Sequence, residues 1–264
     1  MAVLVLLALA TGFLAGSGSV AADPAGGAEN GPVYELRTYH ANEGKLDALH
    51  ARFREHTVGL FEKHGMTNVA YWVPTEGEQA GKTLIYLLSY PNLEARAASW
   101  KAFLSDSDWK AAYAASTTDG KLVASVDSVF LKPTAWSPAV EVAAQQPGRQ
   151  FELRQYTTNP EKLNNLHARF RDHTLALFTK HGMTNLWYFE VLPDQKEGTP
   201  PAATTLMYFL AHADDAARQK NFAAFREDPD WQAAAKASEV EGKILIKDGV
   251  QSMLLQPTDY SPMK

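Results

Sequence analysis

Cysteine is absent from all 264 residues. That removes disulfides, thiolate metal sites, a cysteine nucleophile and a lipid-anchored N-terminal cysteine from consideration. The compartment stays open, because a chain without thiols tolerates oxidising and reducing surroundings alike. Excess positive charge is also lacking: 25 Lys and Arg against 30 Asp and Glu give a net charge of −5, which argues against a nucleic-acid partner. There is no P-loop, no GxGxxG, no GxSxG, no EF-hand loop and no HExxH helix, so no metal site is expected. Long apolar runs are missing too. The one candidate, "MAVLVLLALATGFLAGSGSVAADPAGG", is strongly apolar only from Ala2 to Ala10, too short to span a bilayer. Val20 and Ala22 place small residues before Asp23 as in a cleavage site. Residues 1–22 therefore read as a secretory signal peptide cut near Ala22, with the mature protein periplasmic or secreted. The pattern departs from the usual leader in having no Lys or Arg ahead of the apolar run.

What the chain does have, it has twice. "LHARFREHTVGLFEKHGMTN" from Leu49 and "LHARFRDHTLALFTKHGMTN" from Leu166 agree at 16 of 20 positions. The match extends to "YELRTY" at Tyr34 with "FELRQY" at Phe151, and to "SWKAFLSDSDWKAAYAAS" at Ser99 with "NFAAFREDPDWQAAAKAS" at Asn221. "FLKPTAWSP" at Phe130 pairs with "LLQPTDYSP" at Leu254. The offset grows from 117 to 122 to 124, so the length changes fall between elements, where loops absorb them. The copies cover residues 32–138 and 149–262, joined by the small, polar "AVEVAAQQPG". Each is too long for a solenoid repeat.

Within a copy, "VYELRTYH" alternates as a strand does. Leu46, Leu49, Phe53, Leu60 and Phe61 recur at helical steps, and His64-Gly65 ends that helix. "TNVAYWVP" and "KTLIYLLSYP" are strands, Asn92 is an N-cap for a second helix, Asp106 caps a continuation through Trp109, and "VDSVFLKP" is a last strand. The order β-α-β-β-α-β predicts an α+β fold of two ferredoxin-like units, each an antiparallel sheet with helices on one face. The uncovered faces need partners. Two copies in one chain supply each other, giving an intramolecular pseudo-dimeric α+β barrel with its helices outside.

"YELRTY", a helix ending "LFEKHGM", and the spaced aromatics of "SWKAFLSDSDW" together resemble the NIPSNAP family, a branch of the dimeric α+β barrel superfamily. The resemblance covers both copies. It implies the barrel already read from the pattern, and leaves activity open, since fold relatives include cofactor-independent monooxygenases, lyases, cyclases and haem enzymes.

In the first strand, Glu35, Arg37 and Tyr39 share one face, and Tyr34 and Leu36 the other. Glu152, Arg154 and Tyr156 repeat the arrangement. The expectation is that the apolar face meets the helices and the polar face looks into the barrel. Each Glu–Arg pair then either neutralises itself or lines a pocket for a small apolar or anionic ligand. His64 and His181 sit where a positive charge suits a helix C-terminus. His56 and His173 are read as semi-buried, with proton transfer or haem ligation as the weaker alternatives. No cofactor is required by any motif. The functional expectation is an exported small-ligand-binding or scaffold barrel. The alternative is a cofactor-free enzyme, monooxygenase- or cyclase-like, using the barrel interior. Self-association through sheet edges is a further expectation.

Overall fold

The computed structural model describes residues 31–140 and 148–264. The expected leader and the centre of the linker lie outside these residues. The elements of the first copy are β1 (Val33–Ala41), α1 (Leu46–Arg52), α2 (Val58–Lys63), β2 (Thr67–Pro74), β3 (Thr83–Tyr90), α3 (Leu93–Ser105), α4 (Ser107–Ser116) and β4 (Val123–Pro133). Those of the second are β5 (Gln150–Thr158), α5 (Leu163–Arg169), α6 (Leu175–Lys180), β6 (Thr184–Val191), β7 (Thr205–His212), α7 (Asp215–Glu227), α8 (Pro229–Ser238) and β8 (Leu245–Pro257). Helix ends follow the expected chemistry. Asn92 Oδ1 accepts from the Ala95 amide at 2.8 Å, and Asp106 caps α4 as Asp228 caps α8. Gly65 and Gly182 take φ +76° after the first helix of each copy, a conformation that strains any residue with a Cβ.

All eight strands join into one closed antiparallel barrel in the order β1-β3-β2-β8-β5-β7-β6-β4. The seams between copies are short. Trp72–Pro74 pair with Leu255–Pro257, and Leu131–Pro133 with Phe189–Val191. The barrel closes through these two seams, with three residue pairs at each. No helix among the described residues is long and apolar enough to cross a membrane.

The repeated Pro-Thr-…-Ser-Pro tails explain how the short seams hold. Each crosses onto the other copy. The Thr258 amide donates to Tyr71 O and the Tyr71 amide donates to Ser261 Oγ, both at 2.9 Å. The Thr134 amide donates to Tyr188 O at 2.9 Å, and the Tyr188 amide to Ser137 Oγ at 3.0 Å. Tyr260 packs against Phe53 and Tyr71, and Trp136 against Phe170 and Tyr188.

Three apolar cores result. One fills the barrel lumen with residues of both copies, among them Leu36, Trp72, Phe151, Trp187, Phe189 and Phe209. The other two lie between sheet and helices, one per copy, around Phe53, Phe61 and Tyr86 and around Phe170, Phe178 and Tyr208. This reverses the expected orientation of the first strand. Leu36 points into the lumen, while Tyr39 packs under the helices against Phe53. The reason is one of partners: the lumen core is built of apolar side chains, whereas α3 brings Arg96 and Trp100 down onto the sheet to meet Glu35.

Candidate functional site

The Glu/Arg/Tyr faces of β1 and β5 are thus the floors of two helix-covered layers rather than the lining of the lumen. Glu35 has no exposed surface. Its carboxylate accepts from Arg37 Nη1 (2.5 Å), Arg96 Nη2 (2.8 Å) and Nε (2.9 Å), Ser128 Oγ (2.7 Å), Trp100 Nε1 and Tyr90 Oη (both 3.2 Å). Burial raises the pKa of Glu35. Hydrogen bonds from Arg96 and the charge of Arg37 outweigh it and bring the group to about 2. Arg37 continues outward, donating through Nε to Tyr86 Oη at 2.9 Å and lying over the Trp100 ring at 4.4 Å.

The second copy repeats the plan with substitutions. Glu152, also fully buried, accepts from Arg154 Nη1 (2.5 Å), from Ser252 Oγ, and contacts His212 Nε2 at 3.0 Å. Burial raises its pKa and is overcome by His212, Arg154 and Ser252, again to about 2. His212 stands where the first copy has Tyr90, and Arg218 turns instead to Asp215 at 2.8 Å.

Beside each cluster opens a cleft. In the first copy it measures about 420 Å³ and is bounded by Arg37 and Tyr39 of β1, Arg52 and Phe53 at the end of α1, Trp100 of α3 and Trp109 of α4. Its counterpart measures about 250 Å³, between Arg154, Tyr156, Arg169, Phe170, Phe222 and Trp231. Both depend on a feature that periodicity did not show. Between α1 and α2, and between α5 and α6, the helix widens into a single π turn over Phe53–Thr57 and Phe170–Thr174. The Val58 amide donates five residues back to Phe53 O. The buried Thr57 hydroxyl donates to Arg52 O at 3.1 Å, and Thr174 to Arg169 O at 3.0 Å, meeting carbonyls that the wider turn loosens. The turn leaves two consecutive residues, Arg52 and Phe53, both facing inward at the cleft. π turns of this kind recur at functional sites.

Of the expected site residues, Arg37, Tyr39, Arg154 and Tyr156 line the clefts, whereas Glu35 and Glu152 lie beneath them, occupied by the strand arginines. The expected pocket and the expected self-neutralising pair coexist, one above the other. Arg52, Arg169 and the α3–α4 aromatics are further cleft residues beyond the sequence expectation, although "ARFR" in both copies marks the arginines. The histidines do not take part. His56 and His173 are exposed rather than semi-buried, and neither cleft is lined by a histidine that could ligate haem there. His64 and His181 bond Asp106 and Asp228 at 2.7 Å, tying the first helix of each copy to the cap of the last. His50 Nδ1 meets Tyr260 Oη at 2.8 Å across the seam.

Comparison with known proteins places this geometry. Among curated proteins none is detectably similar. The fold is shared with a monooxygenase-like protein of Lactobacillus acidophilus NCFM at 10% identity and TM-score 0.53, covering 86% of this chain and 94% of that one. A monooxygenase-like protein of Fusobacterium nucleatum matches at 12% identity and TM-score 0.55, covering 86% and 92%. An anthrone oxidase-like protein matches at 11% identity and TM-score 0.55, covering 90% and 96%. These identities establish a common fold and no more. The family model for NIPSNAP matches residues 34–138 and again 151–262. Covering most of the sequence in two tandem segments, that match makes the chain a member of the NIPSNAP family.

Proposed function

We propose that the protein binds a small, flat, largely apolar molecule in the helix-covered clefts, one in each of two fused ferredoxin-like halves of a pseudo-dimeric barrel. The observation carrying this reading is the recurrence of the same open cleft in both copies, next to a lumen filled with aromatic side chains. A site that is concave, mostly apolar and edged by a few polar groups is the usual form of a small-molecule pocket. Arg37 with Tyr39, and Arg154 with Tyr156, supply those groups, held in place by the carboxylates below them.

The placement of the tryptophans gives a direct test. Trp100 and Trp109 wall the first cleft and Trp231 the second, while Trp72 and Trp187 lie in the lumen. Titration with 2-naphthamide is expected to quench tryptophan fluorescence saturably. The quenching should fall in a Trp100→Phe/Trp109→Phe variant and persist in Trp72→Phe. Quenching that depends on Trp72, or none that saturates, contradicts the assignment.

Catalysis is the second reading. It is supported by the monooxygenase-like and anthrone oxidase-like proteins that share the fold, and by the phenols of Tyr39 and Tyr156 at the cleft walls, which could hydrogen-bond a substrate carbonyl. Dioxygen uptake in the presence of an anthrone separates the two: uptake above the buffer rate supports turnover, and binding without uptake leaves the first reading alone.

A further inference from the structure

The two clefts share a plan but not a charge balance, and the difference centres on the arginine that precedes each π turn. Arg52 is 5% exposed and so is Arg169. In both, Nε has no hydrogen-bond partner. A buried cation is costly unless something compensates it. In the second copy the compensation is visible: Glu239 Oε1 lies 3.6 Å from Arg169 Nη1, at the residue that follows α8. The repeat offset of 122 in this region maps Glu239 onto Thr117, which carries no charge. No carboxylate among the described residues reaches Arg52. Among those residues its one hydrogen-bond acceptor is Ser116 Oγ, at a long 3.3 Å.

The aromatic surroundings differ as well. The Arg52 guanidinium lies 5.3 Å from the Trp109 ring and 5.4 Å from the Tyr113 ring. Arg169 has only the matching Trp231, because Ala235 replaces the tyrosine. Leu104 lines the first cleft where the exposed Arg226 edges the second, and a rim arginine in water needs no partner. The acid of the first cleft, Glu35, is already shared between Arg37 and Arg96. The first cleft therefore combines a larger volume, walls of Phe53, Phe61, Trp100 and Trp109, and one buried cation that rings and a hydroxyl, but no carboxylate, compensate.

Resting on the cleft-binding reading above, we infer that the N-terminal cleft is selective for an aromatic carboxylate, with Arg52 receiving the carboxylate and the aromatic body held among the cleft rings. The C-terminal cleft lacks this selectivity because Glu239 already occupies the matching charge. Guanidinium and carboxylate form charge-assisted, frequently bidentate hydrogen bonds, and the buried Arg52 Nε is a donor still without an acceptor.

The test compares 2-naphthoate with its neutral counterpart 2-naphthamide by calorimetric titration of the intact chain at neutral pH. One tight naphthoate site per chain is expected, of higher affinity than any site for the amide. Thr117→Glu copies the second cleft's compensation into the first. It should weaken naphthoate about tenfold or more and leave the amide within about twofold, the size of effect a charged hydrogen bond supports. Arg52→Met should do the same if it folds. Glu239→Thr should add a second naphthoate site, and failure to do so would overturn the part assigned to Glu239. If the two rings alone satisfy Arg52, Thr117→Glu leaves naphthoate binding unchanged. That result, or equal affinity for acid and amide, overturns the charge selectivity while the cleft reading stands. Binding of neither probe removes both.

Discussion

Glu35→Ala is expected to destabilise the protein by about 3–5 kcal/mol, the cost of leaving buried cations without their acid. Two guanidinium groups, those of Arg37 and Arg96, converge on this one carboxylate, and Ser128, Tyr90 and Trp100 also donate to it. Replacing the arginines as well, in Glu35→Ala/Arg37→Met/Arg96→Met, should restore part of the loss, because the uncompensated charges go with the acid. Glu152→Ala should cost less, since one arginine rather than two depends on it. Urea unfolding at neutral pH measures all three variants, and a loss below about 1 kcal/mol for Glu35→Ala would contradict the role given to the cluster. The same carboxylates set the acid limit of the fold. Both are held at about 2, below their ordinary value of 4.5. Their contribution is complete above 4.5 and disappears as the pH falls through about 2, so unfolding should set in across that window and shift upward in Glu35→Ala.

Trp72→Ala is the second large effect, again about 3–5 kcal/mol, through the cavity left by a fully buried ring. Trp72 stacks on Phe209 of the other copy, with centroids 5.1 Å apart and planes 18° apart, and meets Phe151 at 5.8 Å. It stands at the seam where Trp72 pairs with Pro257. Because the lumen is built from both copies, its loss should weaken the whole barrel, and unfolding should stay a single transition rather than split by copy. Trp72→Phe should cost much less, since the indole nitrogen it removes has no hydrogen-bond partner. A near-neutral Trp72→Ala in urea unfolding would mean that the lumen is not close-packed.

The strand and helix order and the caps at Asn92 and Asp106 were legible because each rests on local pattern: period two, period 3.6, or a polar residue ahead of a helix; the duplication showed in the repeated segments, and barrel closure followed from two sheets each needing a cover. Orientation was not. Glu35 and Leu36 alternate equally well with either face inward, and the choice is made by Arg96 and Trp100, 61 and 65 residues along the chain from Glu35 on α3. The π turn at Phe53–Thr57 adds one residue to a helix whose apolar spacing tolerates it, so nothing in that spacing singles out Arg52. The tails carrying Trp136 and Tyr260 were visible as repeats, but crossing onto the other copy is a fact of tertiary structure that no local signal encodes. The exchange of Thr117 for Glu239 stood in the aligned repeats all along. It gained meaning only once Arg52 and Arg169 were seen to be buried beside it.

The measurement that bears most directly on where this protein holds a ligand is the anomalous signal of bromine from a crystal soaked with 6-bromo-2-naphthoate. A peak between β1, α3 and the Arg52 end of α1, with the carboxylate turned to Arg52, is the predicted result. A peak inside the barrel among Trp72, Phe151 and Phe209 would contradict it.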